Sequence, residues 1–208
     1  DWQNLTTILR QSVPLAILCF GLAVVVMTGG DDIVSGGIDL SIPAGSVMAA
    51  AICSVLLVKF GAGIALALGL GMLAAICVGL VNVFLVVIIG LPPLLATLAN
   101  SVAVVGLTNL ITTARRINVN HSFINAVRDD SWLGLPISVL IMLVMFVLIA
   151  FLMHRTRWGL RMQAVGGSRS AAEISGIKPA GYLAQSYLLA SLAAAVASVT
   201  IIARGSGS

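Results

Sequence analysis

The sequence predicts an all-α fold, a polytopic bundle of transmembrane helices, and three observations support this prediction. The chain of 208 residues is 60% hydrophobic and only 9% charged, and its mean hydropathy is +1.13. Soluble domains carry about 25% charged residues, so this composition indicates an integral membrane protein. The apolar residues form six stretches, and a helix needs about 20 apolar residues to cross a bilayer. Helices are expected because an open sheet edge leaves backbone polar groups unsatisfied in lipid.

The six predicted spanning segments are, in chain order, about 13–30, 42–58, 62–89, 94–112, 133–153 and 181–203. The second is short, and the third is long enough to tilt or to extend past the bilayer. Glycine and proline between the first two segments predict a broken helix near 29–43. Small residues that recur every four positions predict closely packed helix faces in the third and last segments. These residues are Gly63, Ala67, Gly71, Ala75 and Gly79, and Ser186, Ala190, Ala194 and Ser198.

Basic residues predict the orientation of the chain. Five of the eleven lie in the polar loop 154–180, namely Arg155, Arg157, Arg161, Arg169 and Lys178. The positive-inside rule places this loop in the cytoplasm. Counting back through the helices then places residues 1–12 outside, with no signal sequence before them. We therefore expect residues 1–208 to be a single transmembrane domain that is truncated at both ends.

A short helix is predicted within this loop, near 169–175. Ser170-Ala-Ala-Glu173 has the pattern of a capping box, and Gly176 is a typical helix stop. A helix of this length is not stable alone in water. It therefore docks on another surface, or the segment is a solvated turn.

Asp39 is the first candidate for contact with a transported solute. It follows Gly37 and precedes Pro43, between two apolar segments. A carboxylate at membrane depth is costly and tends to mark a functional site. Two interpretations remain open: Asp39 caps the helix that begins after it, or it contacts the solute. Both can hold together, because broken helices line transport cavities.

Four further polar residues extend this candidate pathway. Asn82 lies inside the long third segment, where an amide serves as a link between helices or as a contact in a water-filled route. Pro92 and Pro93 end that segment. The next segment carries Thr97, Asn100 and Ser101 at helical spacing, a modest polar face that suits a hydroxylated solute.

Several kinds of chemistry have no support in the sequence. It lacks the GxxxxGK[ST] phosphate loop, so we expect no ATP hydrolysis by this chain. It also lacks HExxH and GxSxG, and its two histidines, His121 and His154, are far apart, so neither catalytic residues nor a metal site is predicted. The net charge of +4 is small and there is no basic face outside the loop, so nucleic acid is not an expected partner.

Four blocks of the sequence carry a resemblance to a known family. They are Gly36-Gly-Ile-Asp-Leu-Ser41, Gly79-Leu-Val-Asn82, Leu91-Pro-Pro-Leu-Leu-Ala-Thr-Leu98, and the segment from Thr156-Arg-Trp-Gly159 to Gly176-Ile177. In the same order, they resemble the GGIDLS, GLxN, PPFIATL and TRxGxxxxAxGGNxxAAxxxGI blocks of membrane permease subunits of bacterial ABC sugar importers, of the ribose, xylose and galactose type. The last block is long and specific.

The resemblance implies a multi-pass permease subunit in the bacterial inner membrane, surrounded by lipid. It implies pairing with a second permease subunit, as a homodimer or heterodimer, and with cytoplasmic ABC ATPases that hold ATP and Mg. A periplasmic sugar-binding protein delivers the solute, and this chain itself binds no cofactor. The loop is then the coupling element that docks on the ATPase. Carried over residue by residue, that role falls on Gly159, Ala164, Gly166, Gly167, Ser168, Ala171, Ala172, Glu173, Gly176 and Ile177.

The sequence departs from the family pattern in two places. Ser168 stands where the family has Asn, and since Ser also caps helices the role is retained. The segment 29–37 has the form of an insertion before the GGIDLS block. The rival hypothesis is an ion-coupled secondary carrier of a small polar solute, for which Asp39 is a candidate coupling charge. A structural membrane scaffold is a third.

Overall fold

A computed structural model of the chain describes residues 2–30, 37–132 and 134–206. Six of the helices in these ranges are long and apolar enough to cross a membrane, which confirms the predicted all-α, multi-pass fold. The helices are α1 (Trp2–Gly29), α2 (Ile42–Lys59), α3 (Ile64–Asn82) with a π-helical continuation (Val83–Ile88), α4 (Pro93–Thr112), α5 (Ser122–Asp129), α6 (Ile137–Arg155), α7 (Arg157–Gly167), α8 (Arg169–Ile174) and α9 (Pro179–Gly205). Two short strands, β1 (Ser131–Trp132) and β2 (Leu135–Pro136), form an antiparallel hairpin between α5 and α6.

Helices α1 and α7 differ most from the prediction, and both differ because polar residues were taken as loop. Helix α6 begins at Ile137, four residues after the predicted start, because the hairpin precedes it. Helix α1 begins at Trp2, eleven residues before the predicted start at 13. Its first turns are polar, and Pro14 lies inside it. Hydropathy marks the part of a helix that lies in lipid, whereas backbone hydrogen bonding continues past the lipid boundary. Helix α7 was not predicted at all, because its sequence is too polar to read as a membrane span.

The predicted break between the first two spanning segments is confirmed at both of its ends. Helix α1 ends at Gly29, Gly30 has a φ of +87°, and α2 begins at Ile42. Residues 37–39 have no regular secondary structure. Asp31, Asp32 and most of the predicted insertion lie outside the described residues.

Helix α9 is the centre of the bundle and packs against α1, α2 and α3. The small residues predicted to form its packing face are all buried. A Cβ atom on Gly79 would lie 2.7 Å from the Ser191 hydroxyl oxygen, and one on Gly71 would lie 2.9 Å from the Ala49 carbonyl oxygen. The predicted small-residue faces are therefore confirmed as helix contacts. Gly63 is the exception, because it precedes the first residue of α3 and is exposed.

One end of the bundle, called here the α8 end, carries α7 and α8. Gly166 lies against the backbone of Met27 near the end of α1. The Arg169 guanidinium donates a hydrogen bond to the Gly29 carbonyl oxygen at 3.3 Å. These contacts join α7 and α8 to α1, and they place the end of α1 at the α8 end of the bundle.

The opposite end of the bundle, the α5 end, is tied together by arginines. Arg10 donates to the Arg128 carbonyl oxygen at 2.6 Å, and Arg128 donates to the Ser206 carbonyl oxygen at 3.0 Å. Arg128 also forms a salt bridge with Asp129 at 2.7 Å, which holds the pKa of that exposed carboxyl below its usual range. The start of α1, helix α5 and the end of α9 therefore lie together, as the predicted alternation of helix directions requires.

Candidate functional site

Helix α8 is bounded by two well-formed ends. Ser168 is its N-cap, and the Ser168 hydroxyl oxygen accepts a hydrogen bond from the Ala171 amide at 3.3 Å. The Ile177 amide donates to the Ala172 carbonyl oxygen and the Gly176 amide to that of Glu173, each at 2.9 Å. This pair of bonds is a Schellman motif, and Gly176 takes the left-handed conformation that the motif needs, with a φ of +78°.

These ends confirm two predictions and correct a third. The stop at Gly176 and the capping role of Ser168 are confirmed. The capping box from Ser170 to Glu173 was wrong, because the helix begins at Arg169 and Ser170 lies inside it. Ser168 has the extended backbone that an N-cap requires, and its place two residues earlier leaves Ser170 with helical neighbours on both sides.

Helix α7 joins the membrane helix α6 to α8. The Thr156 hydroxyl oxygen accepts a hydrogen bond from the Gly159 amide at 3.1 Å and so caps its start. Met162 and Val165, three residues apart, are buried against the bundle. An N-cap threonine followed by apolar residues at helical spacing is the signal that could have predicted this helix.

Two glycines of α7 are required by packing. A Cβ on Gly159 would lie 2.2 Å from the Leu152 carbonyl oxygen, and one on Gly166 would lie 1.9 Å from the Met27 carbonyl oxygen. Real side chains do not approach backbone this closely, so only glycine lets α7 sit directly on α6 and α1. Gly167 has no atom within 4 Å of the same position.

The predicted coupling residues therefore divide into an anchored set and an exposed set. Gly159 and Ala172 are buried, and Gly166 and Ile177 are partly buried. The exposed members are Ala164, Gly167, Ser168, Ala171, Glu173 and Gly176. Beside them, Ile174 has 89% of its surface exposed, which is unusual for a large apolar side chain. Ile174 was not among the predicted coupling residues; the signal that could have found it is an apolar residue between two polar ones, Glu173 and Ser175.

Four of the five predicted pathway residues, Asp39, Asn82, Thr97 and Asn100, meet in a second place, a buried polar network at the start of α2. One carboxylate oxygen of Asp39 accepts hydrogen bonds from the Ser41 amide at 2.8 Å, the Ser41 hydroxyl at 2.7 Å and the Asn82 side chain at 3.1 Å. Ser41, not Asp39, is the N-cap residue of α2. The Asp39 carboxylate does accept a bond from an amide at the start of α2, as the capping interpretation expected. Asp39 itself, however, lies two residues before the N-cap position.

Asn82 connects this carboxylate to α4. Its amide nitrogen also donates to the Ser41 hydroxyl at 2.7 Å, and its oxygen accepts from the Asn100 side chain at 2.7 Å. The Thr97 hydroxyl oxygen accepts from the Leu40 amide at 3.1 Å. Asn82 and Thr97 are fully buried.

We refer to Asp39, Ser41, Asn82, Thr97 and Asn100 as the polar network. It joins the segment before α2 to α3 and α4, the geometry of a link between helices. In this conformation it is closed, since Asp39 is 4% and Asn100 7% exposed. Ser101 lies half-buried beside it and is not one of its members. The role of these residues in a solute pathway stays a prediction.

Comparison with known proteins gives one family match and several curated relatives. A family described as the permease component of the branched-chain amino acid transport system matches residues 4–207. The galactofuranose transporter permease protein of Escherichia coli strain K12 is 34% identical over 199 residues, 94% of this chain and 55% of that protein. The ribose import permease protein of Bacillus subtilis strain 168 is 32% identical, over 97% of this chain and 61% of its own length.

A fructose import permease protein of Bifidobacterium longum strain NCC 2705 is 29% identical, over 93% of this chain and 53% of that protein. No solved structure matches the chain. The chain thus spans little more than half the length of these curated relatives. Because the family match covers residues 4–207, the chain belongs to the family of permease components of the branched-chain amino acid transport system type.

Proposed function

We propose that this chain is a permease subunit of an ATP-driven ABC importer for a sugar or a similar small hydroxylated solute. The names of its relatives support the solute class, since they are permeases for galactofuranose, ribose and fructose. ATP and Mg are held by a separate cytoplasmic ATPase. A second permease subunit, alike or different, and a periplasmic sugar-binding protein complete the importer.

The observation that carries this proposal is the form of the segment 159–177, which we call the coupling segment. Gly159 and Gly166 pack it directly against the backbone of α6 and α1, while Ile174 and Glu173 of α8 are exposed. A segment that only connected two helices would need neither feature. A segment that transmits force needs both, a rigid attachment to the bundle and an exposed face for a partner.

The coupling mechanism follows from this arrangement. Closure of two ATPase subunits on ATP moves the docked α8, and the packed glycines pass that displacement to α1 and α6. ATP drives transport only if the docked segment favours different bundle conformations in the two nucleotide states. Solute affinity resides mainly in the binding protein, so the permease needs only weak polar contacts.

The ion-coupled carrier remains the competing class, and Asp39 is the residue that favours it. Collapse of the proton gradient with ATP intact stops uptake by a carrier and leaves an ABC importer running. Asp39 already binds Ser41 and Asn82, so its carboxylate is engaged in holding the protein together.

The experiment compares two variants of the full-length parent protein, purified in mild detergent with its partners identified by mass spectrometry. Ile174→Asp places a charge on the exposed face of α8. The matched control, Trp132→Asp, changes a 64% exposed aromatic at the α5 end. We expect stoichiometric ATPase with the parent and the control, and about tenfold less with Ile174→Asp, as for the loss of an interface hot spot. Equal ATPase recovery with Ile174→Asp would remove the docking claim, and a parent that carries no ATPase would remove the importer class.

A further inference from the structure

We propose that a cavity between α2, α4 and the end of α9 is the entry site for the hydroxylated solute. This inference rests on the proposed function and deepens it by placing the first contact of the solute. The cavity, which we call the α4 cavity, has a volume of about 300 Å³. That is the lower end of the usual size for small-molecule sites and suits a single sugar ring.

The wall formed by α2 is one face of that helix. Val47, Ala50, Ala51 and Ser54 follow the i, i+3, i+4, i+7 spacing of residues that share a side. At 1.5 Å per residue they extend the cavity over about 10 Å of bundle depth. Three of the four are apolar, so this wall offers a mostly hydrocarbon surface with the Ser54 hydroxyl towards one end. Sugar rings have the matching property, an apolar face and polar edges.

The hydroxyl groups in the cavity wall are donors to their own helices. Ser54 donates to the Ala50 carbonyl oxygen at 2.8 Å, and Thr108 donates to that of Val104 at 2.8 Å. Thr112 donates to the Thr108 carbonyl oxygen at 2.9 Å. A hydroxyl whose hydrogen is committed in this way still has acceptor capacity on its oxygen. The three oxygens can thus accept hydrogen bonds from the hydroxyls of a solute.

Donors and a strained turn lie at the mouth of the cavity. Thr113 and Ala114 have φ values of 55° and 53°, in the left-handed region that residues other than glycine rarely occupy. This turn directs Arg115 and Arg116 to the cavity rim, where Arg116 donates a hydrogen bond to the Gly205 carbonyl oxygen. Backbone strain of this kind concentrates at binding sites, where the surrounding structure holds it in place.

The position of the cavity fits an entry site. Its mouth lies at the α5 end, opposite the coupling segment, and the predicted orientation places that end outside. One turn deeper on α4, Val104 packs with Met48 and Val78 in an apolar layer. Asn100 of the polar network is the next buried residue on the same face of α4. The apolar layer therefore separates the open cavity from the closed network.

The experiment uses the full-length complex with its ATPase and binding protein, reconstituted in vesicles and tested with labelled D-ribose and a panel of other pentoses and hexoses. The double variant Ser54→Ala/Thr108→Val removes two acceptors without adding volume. Ser186→Ala is the matched control, because Ser186 is also buried and also donates to its own helix. We expect about tenfold slower uptake for the double variant, because two hydrogen bonds to the sugar are lost. The control should take up sugar at the parental rate.

The outcomes separate the two proposals. A parent complex that moves no sugar in the panel overturns the proposed function and the entry site with it. Sugar uptake by the double variant at the control's rate overturns the entry site alone. If the double variant does not assemble, Thr112→Cys in the assembled complex decides: the transported sugar must slow its modification by a membrane-impermeant thiol reagent, and an unchanged rate rejects the site.

Discussion

Polar residues lie on one face of α4 at two depths, and their surroundings differ. Thr97 and Asn100, near the α8 end, bond to residues from the segment before α2 and from α3. Thr108 and Thr112, near the α5 end, donate to their own helix and line the α4 cavity. The first pair links α4 to α3 and to the segment before α2. The hydroxyl oxygens of the second pair keep acceptor capacity towards the cavity.

Residue type therefore does not decide between the observed structural role and the proposed binding role in this bundle. Threonine occurs in both settings. The difference is whether its hydroxyl also bonds to another part of the chain, as in Thr97, or only to its own helix, as in Thr108 and Thr112. The α8 end is closed by glycine contacts and by the polar network, as the proposed transmission of displacement from α8 requires. The α5 end is open at the α4 cavity, where the proposed entry site lies.

The largest expected effect is at the closed end, from Gly166→Ala. Its new methyl group meets the Met27 carbonyl oxygen, so α7 must move away from α1. We expect a loss of about 3 kcal/mol in stability and loss of coupled uptake, since overpacking against backbone has no flexible neighbour to yield. The neighbouring variant Gly167→Ala, which meets nothing within 4 Å, is the control. Thermal unfolding of the purified protein checks both; equal melting temperatures contradict the packing account.

Asn82→Leu tests the polar network itself. The change removes the bond from Asn82 to the buried Asp39 carboxylate and the bond from Asn100 to the Asn82 oxygen, at a cost of about 2 kcal/mol. Asn125→Leu, which removes an exposed amide bond to Asn120, is the control and should change stability little. Denaturant unfolding measures the difference. If Asn82→Leu is as stable as the control, the network does not hold the helices together.

A smaller effect is expected at the start of α8. Ser168→Ala removes the N-cap bond and should destabilise α8 by about 1 kcal/mol, whereas Ser170→Ala removes no cap. Amide exchange of residues 169–175 should therefore be about fivefold faster in Ser168→Ala alone. The opposite ranking would restore the capping box that the sequence suggested.

The smallest change in stability is expected at the α5 end, where the substitution introduces a glycine and does not remove one. Ala114→Gly relieves a left-handed alanine, worth roughly 1 kcal/mol, and part of that gain is offset by the greater freedom of glycine in the unfolded chain. We expect an unchanged or slightly raised melting temperature together with slower sugar uptake, because the arginines at the rim lose their fixed position. A clear fall in melting temperature contradicts strain at this turn.

The sequence predicted the helices well and the contacts between them less well. Hydropathy located all six spans because the lipid boundary selects apolar residues. It missed α7 and the start of α1, whose residues lie in a helix without being apolar. Asp39, Asn82, Thr97 and Asn100 stood out as polar residues in apolar segments. No local pattern could show that Asn82 bonds to Asp39 and Asn100, or that Thr97 bonds to the Leu40 amide, across the fold.

The cavity hydroxyls could not be predicted for a related reason. Ser54, Thr108 and Thr112 each bond to their own helix, which is the ordinary behaviour of serine and threonine in an apolar segment. What distinguishes them is the empty volume beside them, and that depends on how α2, α4 and α9 pack. Ile174 was missed because an isoleucine at the end of a short helix usually belongs to a core.

The thiol reactivity of two cysteines introduced on α4 distinguishes a closed end from an open end on this one helix face. In the full-length protein with its native cysteines replaced by alanine, Thr97→Cys and Thr112→Cys are exposed from outside to a membrane-impermeant methanethiosulfonate. We expect the reagent to modify Thr112→Cys and not Thr97→Cys, although both react after denaturation in detergent. Equal modification of the two in intact membranes would contradict this expectation.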